Sequence, residues 1–313
     1  MIISFNVLLE PFGLSWDRET SPDTSGMSKS KGDNAADNTL TLVIKLGGAA
    51  ITDKSVLETL RPDLLQQGAA LIKRCHDEGQ RIVVVHGAGS FGHHQAKLYK
   101  VNEGLGKDQN YQGFCLTRNS VTTLNKHVVE CLTDLHLPAV ACPAFPGWQT
   151  SKRAVNTWPR ESISDVIQAG LIPVFHGDCV LDSEQGCCVL SGDTIIETLC
   201  SNFDVKRVVF LTDVQGVYDK PPHEEGAKLV KRVSLTSDGQ ACHSVIISTS
   251  SHDVTGGILT KLRSAQKIAA LSSGHTKVFI AKIGSRDAKR LCLDKNVDVN
   301  DLEATEIVLN VNK

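Results

Sequence analysis

From Leu40 onward, short apolar runs alternate with stretches whose apolar residues recur every three or four positions. The runs TLVIKL (41–46), RIVVVH (81–86), PAVACPAF (138–145), LIPVFHG (171–177), RVVFLT (207–212), TKVFIA (276–281) and ATEIVL (304–309) read as strands. Most are apolar at successive positions, the mark of strands buried on both faces. Helical spacing covers 56–78, ending at Gly79, then 115–135, 162–170, 192–203 behind Ser191, and 255–274. Residues 179–190 read as a hairpin. Strands and helices in turn predict an α/β protein, with a mainly parallel central sheet covered by helices on both faces.

The first 38 residues follow another pattern. MIISFNVLLEPFGLSW is apolar, but it lacks an early positive charge, carries Glu10 and is broken by Pro11 and Gly13. It makes a poor signal peptide. The polar Ser-, Asp- and Gly-rich stretch that follows has the composition of disorder. Residues 1–38 are therefore expected to be a flexible or disordered extension, with Met27 as an alternative start and organelle targeting as the lesser reading. Residues 39–313 show no linker that would split them into independent units.

Composition narrows the function. A net charge of −2 supplies no basic field for nucleic acid or anionic membrane. The longest apolar runs are far short of a membrane span. The 10 cysteines form no CxxC pair and no zinc-type spacing, so they are expected as reduced thiols of a cytoplasmic protein.

Candidate chemistry lies in the loops after the strands, where open α/β sheets bind ligands. Lys45 sits inside an apolar strand just before Gly47 and Gly48. Burying it is costly unless an anion receives it, and paired glycines let backbone N–H groups approach a phosphate. An edge-strand lysine reaching solvent is the alternative. Lys54 reads on its own as a solvated lysine at a helix start.

The second strand runs into Gly87-Ala88-Gly89-Ser90-Phe91-Gly92-His93-His94. Its Gly-x-Gly-x-x-Gly matches the dinucleotide fingerprint, but it follows the second strand and no acidic residue ends the next one. A phosphate-cradling turn remains, with His93 at the start of the following helix. His94 points elsewhere on that helix and is expected to be structural. Asp193, behind Ser191-Gly192, is either a capping carboxylate or a counter-charge for lysines. Thr212-Asp213 through Gly216-Val217-Tyr218 could wrap a purine and ribose, or be a plain strand-end turn. Gly256 and Gly257 open a helix with Lys261 a turn further on, a natural nucleotide-phosphate site or an ordinary capped helix. The chain has no GxxxxGK[ST], HRD or DFG, so it is neither a Walker-type ATPase nor a protein kinase.

In this order, KLGG with a lysine nine residues on, GAGSFGH, SGD, LTDVxGVY and DVTGGxxxK resemble the amino acid kinase superfamily, and within it the isopentenyl phosphate kinases. The likeness spans about Leu40 to the C-terminus. Relatives acting on acyl-amino acids or carbamate lack the histidine of GAGSFGH, whereas the fosfomycin kinases share it. Many family members read Gly-Gly-Gly where this chain has Gly87-Ala88-Gly89.

The resemblance implies an amino acid kinase-like fold, with an acceptor lobe at about 39–185 and a nucleotide lobe at 186–313. It implies in-line transfer from ATP, with Mg²⁺, to isopentenyl phosphate, giving the diphosphate in the alternative mevalonate route. Lys45, Lys54, His93 and Asp193 would be catalytic. Gly48, Gly87, Ala88, Gly89, Ser90, Gly92, His93 and Gly192 would hold the acceptor. Lys45, Gly47, Gly48, Thr212, Asp213, Gly216, Val217, Tyr218, Gly256, Gly257 and Lys261 would hold ATP. No protein metal ligands are expected, and a homodimer is implied. The helix after His93 and residues 111–129 are expected to wall the apolar tail.

Overall fold

Neighbouring residues of one strand, Ile44 and Lys45, point to opposite faces of the central sheet, and the molecule is organised around that division. The computed structural model describes residues 39–106, 111–236, 256–294 and 296–309, and of 256–260 only the backbone. The 1–38 extension lies outside the described residues, as do Asp253, Val254 and Thr255 of the DVTGG motif.

β1 (Thr39–Leu40) and β2 (Leu42–Leu46) lead into α1 (Gly48–Ile51) and α2 (Pro62–Asp77). β3 (Ile82–His86), α3 (Gly89–Leu98) and α4 (Tyr111–Thr133) follow, then β4 (Ala139–Ala141), β5 (Gln149–Ser151), β6 (Ala154–Thr157), α5 (Arg160–Gln168) and β7 (Ile172–His176). A hairpin of β8 (Asp178–Asp182) and β9 (Gly186–Leu190) precedes α6 (Gly192–Asn202), β10 (Asp204–Val205) and β11 (Arg207–Thr212). The last described elements are β12 (Arg232–Leu235), α7 (Gly256–Leu271), β13 (Lys277–Lys282), α8 (Arg286–Leu293) and β14 (Ala304–Leu309).

The main sheet has eight strands in the order β12-β14-β13-β11-β2-β3-β7-β4, and every pair is parallel except β13 with β14. Its core is split by the pleat. Leu42, Ile44 and Leu46 pack with buried residues of α1, α2, α4 and α8. Val43, Val83, Val85, Val208 and Phe210 pack with α5, α6 and α7. This is the expected αβα sandwich. A four-stranded sheet, β6-β5-β8-β9, and the short β1–β10 pair complete it. The expected lobe division at 185/186 falls in the turn of the β8–β9 hairpin, and the main sheet runs through both portions by the direct pairing of β2 with β11.

Several elements differ from the sequence reading. The helix expected from Val56 begins only at Pro62, which occupies its first turn. Proline suits that turn, where its missing N–H has no intrahelical partner to lose. Residues 53–60 form a loop instead, closed by the Thr52–Leu60 bridge. The strand expected over 138–145 is three residues long. β5, β6, β12 and α8 carried too weak an apolar pattern to be expected. α6 begins as anticipated, with the Ser191 hydroxyl accepting from the Thr194 N–H at 3.0 Å. Of the described cysteines, Cys115 is exposed, Cys131 and Cys142 are half-buried and the other six are buried; none is bonded to another.

Candidate active site

The carboxyl ends of β2, β3 and β7 deliver their loops to one place. Period-two alternation sends Lys45 to the same side as Val43, toward α6 and α7. The residue is 5% exposed, and its ammonium donates directly to the Asp193 carboxylate at the start of α6. The Phe210 ring lies 5.8 Å from the same ammonium. A buried lysine in this setting needs its counter-charge, which settles both alternatives: Lys45 does not reach bulk solvent, and Asp193 is not merely a cap.

The glycines of the first two loops are required by their mutual approach. A Cβ on Gly48 would stand 2.4 Å from the Gly89 nitrogen, and one on Gly87 would stand 2.7 Å from the Gly48 nitrogen. Gly89 also has φ +53°, a left-handed conformation that favours glycine. The two loops thus interlock and place the starts of α1 and α3 side by side. Gly192, at the start of α6, closes against Val85 and the His86 carbonyl. Among the described residues, the N–H groups of Gly48, Ala49, Ala88, Gly192 and Asp193 have no acceptor. Such converging groups form a cradle for an anion.

Above them lies a cavity of ≈230 Å³. Lys45, Lys54, His93, Asp193 and Lys261 line it, with Gly47, Gly48, Gly87, Ala88, Gly92 and Gly192 of the expected loops. Burial, and then the Lys45 charge, pull the Lys261 ammonium down to about 8, with Lys54 adding to this and Asp193 and Asp213 opposing it. Three lysines line the cavity with Asp193, and the second lining carboxylate, Asp178, is paired with Arg118, which leaves an excess of positive charge that suits a polyphosphate.

His93 is in the second turn of α3, not at its start. Helical side chains lean toward the N-terminus, so the ring still reaches the cradle. It is exposed to the cavity, while protein packed around it lowers its pKa, and Lys54, His94, Lys261 and Lys45 lower it further. It is therefore neutral near pH 7, with one N–H to donate.

Some expected residues lie elsewhere. Gly47 and Gly87 line the cavity, but their N–H groups already donate to the Leu211 and Leu46 carbonyls, at 2.8 and 2.9 Å. Ser90 is buried, and its hydroxyl bonds the Thr59 backbone, so it braces the 53–60 loop instead of lining the cavity. Thr212 is buried and closes its own turn onto the Val214 backbone. Asp213 is exposed beside the Gly47 turn. Val217 is a core residue, and Gly216 is small because a Cβ would meet the Thr305 hydroxyl at 2.4 Å. These two shape the loop from behind. Tyr218 bridges to Leu229. Gly256 and Gly257 open α7, as expected.

Sequence reasoning missed Ala49, Gly177, Asp178, Val189 and Ser191 of the lining, although HGD at the end of a buried strand signals the same strand-end position. Asp178 is fully buried and accepts from Arg118 Nε at 2.9 Å and Nη2 at 3.2 Å. Ala96, Thr117 and Val121 supply wall from the two helices expected to do so. Behind the cradle, His86 and His176 stack with centroids 5.4 Å apart. Each ring pairs its Nδ1 with the carbonyl of the next glycine, Gly87 or Gly177, at 3.0 and 2.9 Å. Burial drives His86 down to about 3, so it is a fixed neutral brace. Among the described residues, no group of three or more His, Cys, Asp or Glu side chains could hold a metal ion.

The amino acid kinase family pattern matches residues 41–282 of this architecture. The chain belongs to the amino acid kinase family. It is 36% identical to an isopentenyl phosphate kinase of Arabidopsis thaliana, over 79% of this chain and 89% of that protein. It is 31% identical to an isopentenyl phosphate kinase of Methanothermobacter thermautotrophicus, over 71% and 84%. A solved isopentenyl phosphate kinase structure superposes with a TM-score of 0.69 at 26% identity, covering 86% of this chain and all of that one. Gly87, Ala88, Gly92 and His93 of the Gly-rich loop line the same cavity as the three lysines. No described helix is long and apolar enough to cross a membrane.

Proposed function

We propose that the protein transfers the γ-phosphoryl group of ATP to isopentenyl phosphate, giving isopentenyl diphosphate and ADP by direct in-line displacement. One observation carries this reading: Lys45, Lys54, Lys261 and His93 meet a cradle of acceptor-free N–H groups in a single cavity. Ala96, Val121 and Val189 add apolar side chains to its lining. That is a phosphate site with a place for a short hydrocarbon tail.

The carboxylates support it. Among the described residues, Asp193 and Asp178 are the carboxylates that line the cavity, and each is held by a cation, Lys45 or Arg118. Neither is free to act as a general base. A phosphate monoester needs none, because it is already an anionic nucleophile at neutral pH, and catalysis reduces to positioning and charge neutralisation. In this reading Lys45 neutralises the transferring group while Asp193 holds it in place. Lys54 spans donor and acceptor phosphates, His93 donates to the acceptor phosphate, and Lys261 holds the nucleotide phosphates. The N–H groups of Gly48, Ala49 and Ala88 complete the cradle. Mg²⁺ would come with the nucleotide and would supply further neutralisation of phosphate charge. A homodimer and a place in the alternative mevalonate route come with the family resemblance, and a cytoplasmic location with the cysteine pattern; all belong to the same proposal.

ATP turnover with isopentenyl phosphate, fosfomycin and N-acetylglutamate as acceptors tests it. The expected result is a kcat/KM for isopentenyl phosphate far above the other two. Equal or better use of fosfomycin would overturn the choice of acceptor.

A further inference from the structure

The chain carries two consecutive histidines, and the cavity uses only the first. Successive side chains on a helix point about 100° apart, so His94 faces away from the cavity toward the 53–60 loop. Its Nε2 lies 3.2 Å from the backbone carbonyl of Lys54. A carbonyl can only accept, so this nitrogen carries the hydrogen and donates.

The loop bearing Lys54 is fastened from one side. Asp53 folds it locally, its Oδ1 accepting from the Ser55 N–H at 2.9 Å and hydroxyl at 2.6 Å. Glu58 has φ +50°, which for a residue with a side chain needs outside support. That support is present: its carboxylate accepts from Ser120 Oγ of α4 at 2.5 Å and from Gln95 Nε2 of α3 at 3.2 Å. Val56 and Leu57, between these points, are more than half exposed and add little packing. Lys54 itself is exposed and lines the cavity. Polar bonds to α3 and α4, not a core, hold its backbone in position.

We propose that His94 is a positioning residue for phosphoryl transfer, holding the Lys54 carbonyl so that the Lys54 ammonium stays over the cavity, with Glu58, Gln95 and Ser120 securing the far end of the loop. The proposal rests on the reading of Lys54 as a phosphate-binding lysine. It divides the histidine pair by direction: His93 meets the acceptor, and His94 places the lysine that faces it.

A double-mutant cycle tests it, using the full chain and steady-state kinetics. Lys54→Ala tests the underlying reading and should lower kcat. His94→Ala should lower kcat about three- to tenfold, the span expected of one modest hydrogen bond, with ATP affinity and Tm nearly unchanged. His94→Gln, whose amide can offer an N–H at a similar reach, should recover most of the loss. In the Lys54→Ala background, His94→Ala should cost nothing further. Hydrogen exchange gives a second readout that does not need turnover: the Asp53 and Thr59 amides should exchange faster in His94→Ala and recover in His94→Gln. A Lys54→Ala enzyme at full activity overturns the reading of Lys54, and the positioning role falls with it. An impaired Lys54→Ala enzyme in which His94→Ala is neutral, or costs its full factor again, overturns the positioning role alone. So does a loss that follows a fall in Tm or that glutamine does not rescue.

Discussion

Lys45 and Lys54 lie nine residues apart and face the same cavity, but they are held in opposite ways. Lys45 stands in a central strand between β3 and β11, 5% exposed, with its ammonium on Asp193. Lys54 stands on an exposed loop whose anchors are side-chain hydrogen bonds to α3 and α4. The first charge is fixed by the core and belongs to the stability of the fold. The second is placed by a loop that can yield without disturbing the sheet. A transferring phosphoryl group needs a charge that does not move. In the proposed reading Lys54 meets an arriving acceptor, and such a lysine can tolerate a softer support.

The largest expected effect breaks the comparison at Lys45. Lys45→Ala removes the charge nearest the core and should lower kcat by about 10²-fold or more, with a smaller change in ATP affinity. It should also lower Tm, because Asp193 loses its buried partner. The cost should fall below the roughly 3–5 kcal/mol of a fully enclosed pair, because this one borders a cavity and Lys261 stands near. Lys54→Ala should leave Tm within error. Thermal unfolding of the two variants separates the roles; equal Tm values would show that Lys45 is not structurally engaged.

A second contrast sharpens the acceptor side. In the proposed reading His93→Ala removes a donor to the acceptor phosphate, which predicts a loss of about 1.5–3 kcal/mol, or roughly 10- to 100-fold in kcat/KM for isopentenyl phosphate. Nucleotide binding measured by calorimetry should stay within about twofold of wild type, since the histidine faces the other phosphate. Loss of ATP binding in this variant would move the acceptor site elsewhere.

The same contrast explains what the sequence disclosed. Lys45 was legible from physics alone: a lysine in an apolar strand, followed by two glycines, needs an anion or a carboxylate, and period two sets its side. The parallel sheet was legible for the same reason, because strands buried on both faces read as continuous apolar runs. Lys54 was not legible from its surroundings. The residues that hold its loop, Ser90, His94, Gln95 and Ser120, lie on α3 and α4, far from it along the chain, and no periodicity links them to it. Only the family's order of motifs pointed to Lys54. Pro62 carried a start signal that the apolar spacing from Val56 overrode. Gly47 and Gly87 were recognised as close-approach glycines, but their N–H groups were already committed to strand carbonyls, which needs the register of β2 against β3 and β11 to see. Val217 read as part of a ligand loop because its motif resembles the family's nucleotide loop, whereas its side chain packs in the core. A motif conserves a shape, and some of its residues maintain that shape from behind.

The smallest expected effect concerns Lys261, which differs from both lysines above in being half-buried and crowded by like charge. Its pKa of about 8 belongs to the protein without nucleotide. Phosphates beside it favour the ammonium and raise that value on binding. The sign follows from linkage. A group whose pKa rises on binding takes up a proton where it was partly deprotonated before, so affinity is full below the free pKa of about 8. It then declines as pH climbs from there toward the bound pKa. The decline is at most about tenfold per pH unit, the limit for one proton. Calorimetry of ATP binding at pH 8.5 in buffers of different ionisation enthalpy should therefore show net proton uptake. Lys45, Lys54, Asp193 and Asp213 surround the group, so the control must change Lys261 and leave their charges in place. Lys261→Arg does so, because a guanidinium remains charged throughout this range. That variant should bind ATP at pH 7 with modestly altered affinity, lose the proton uptake and flatten the decline between pH 8 and 9. An unchanged proton uptake in Lys261→Arg would assign the titration to another group in the site and remove Lys261 from direct contact with the phosphates.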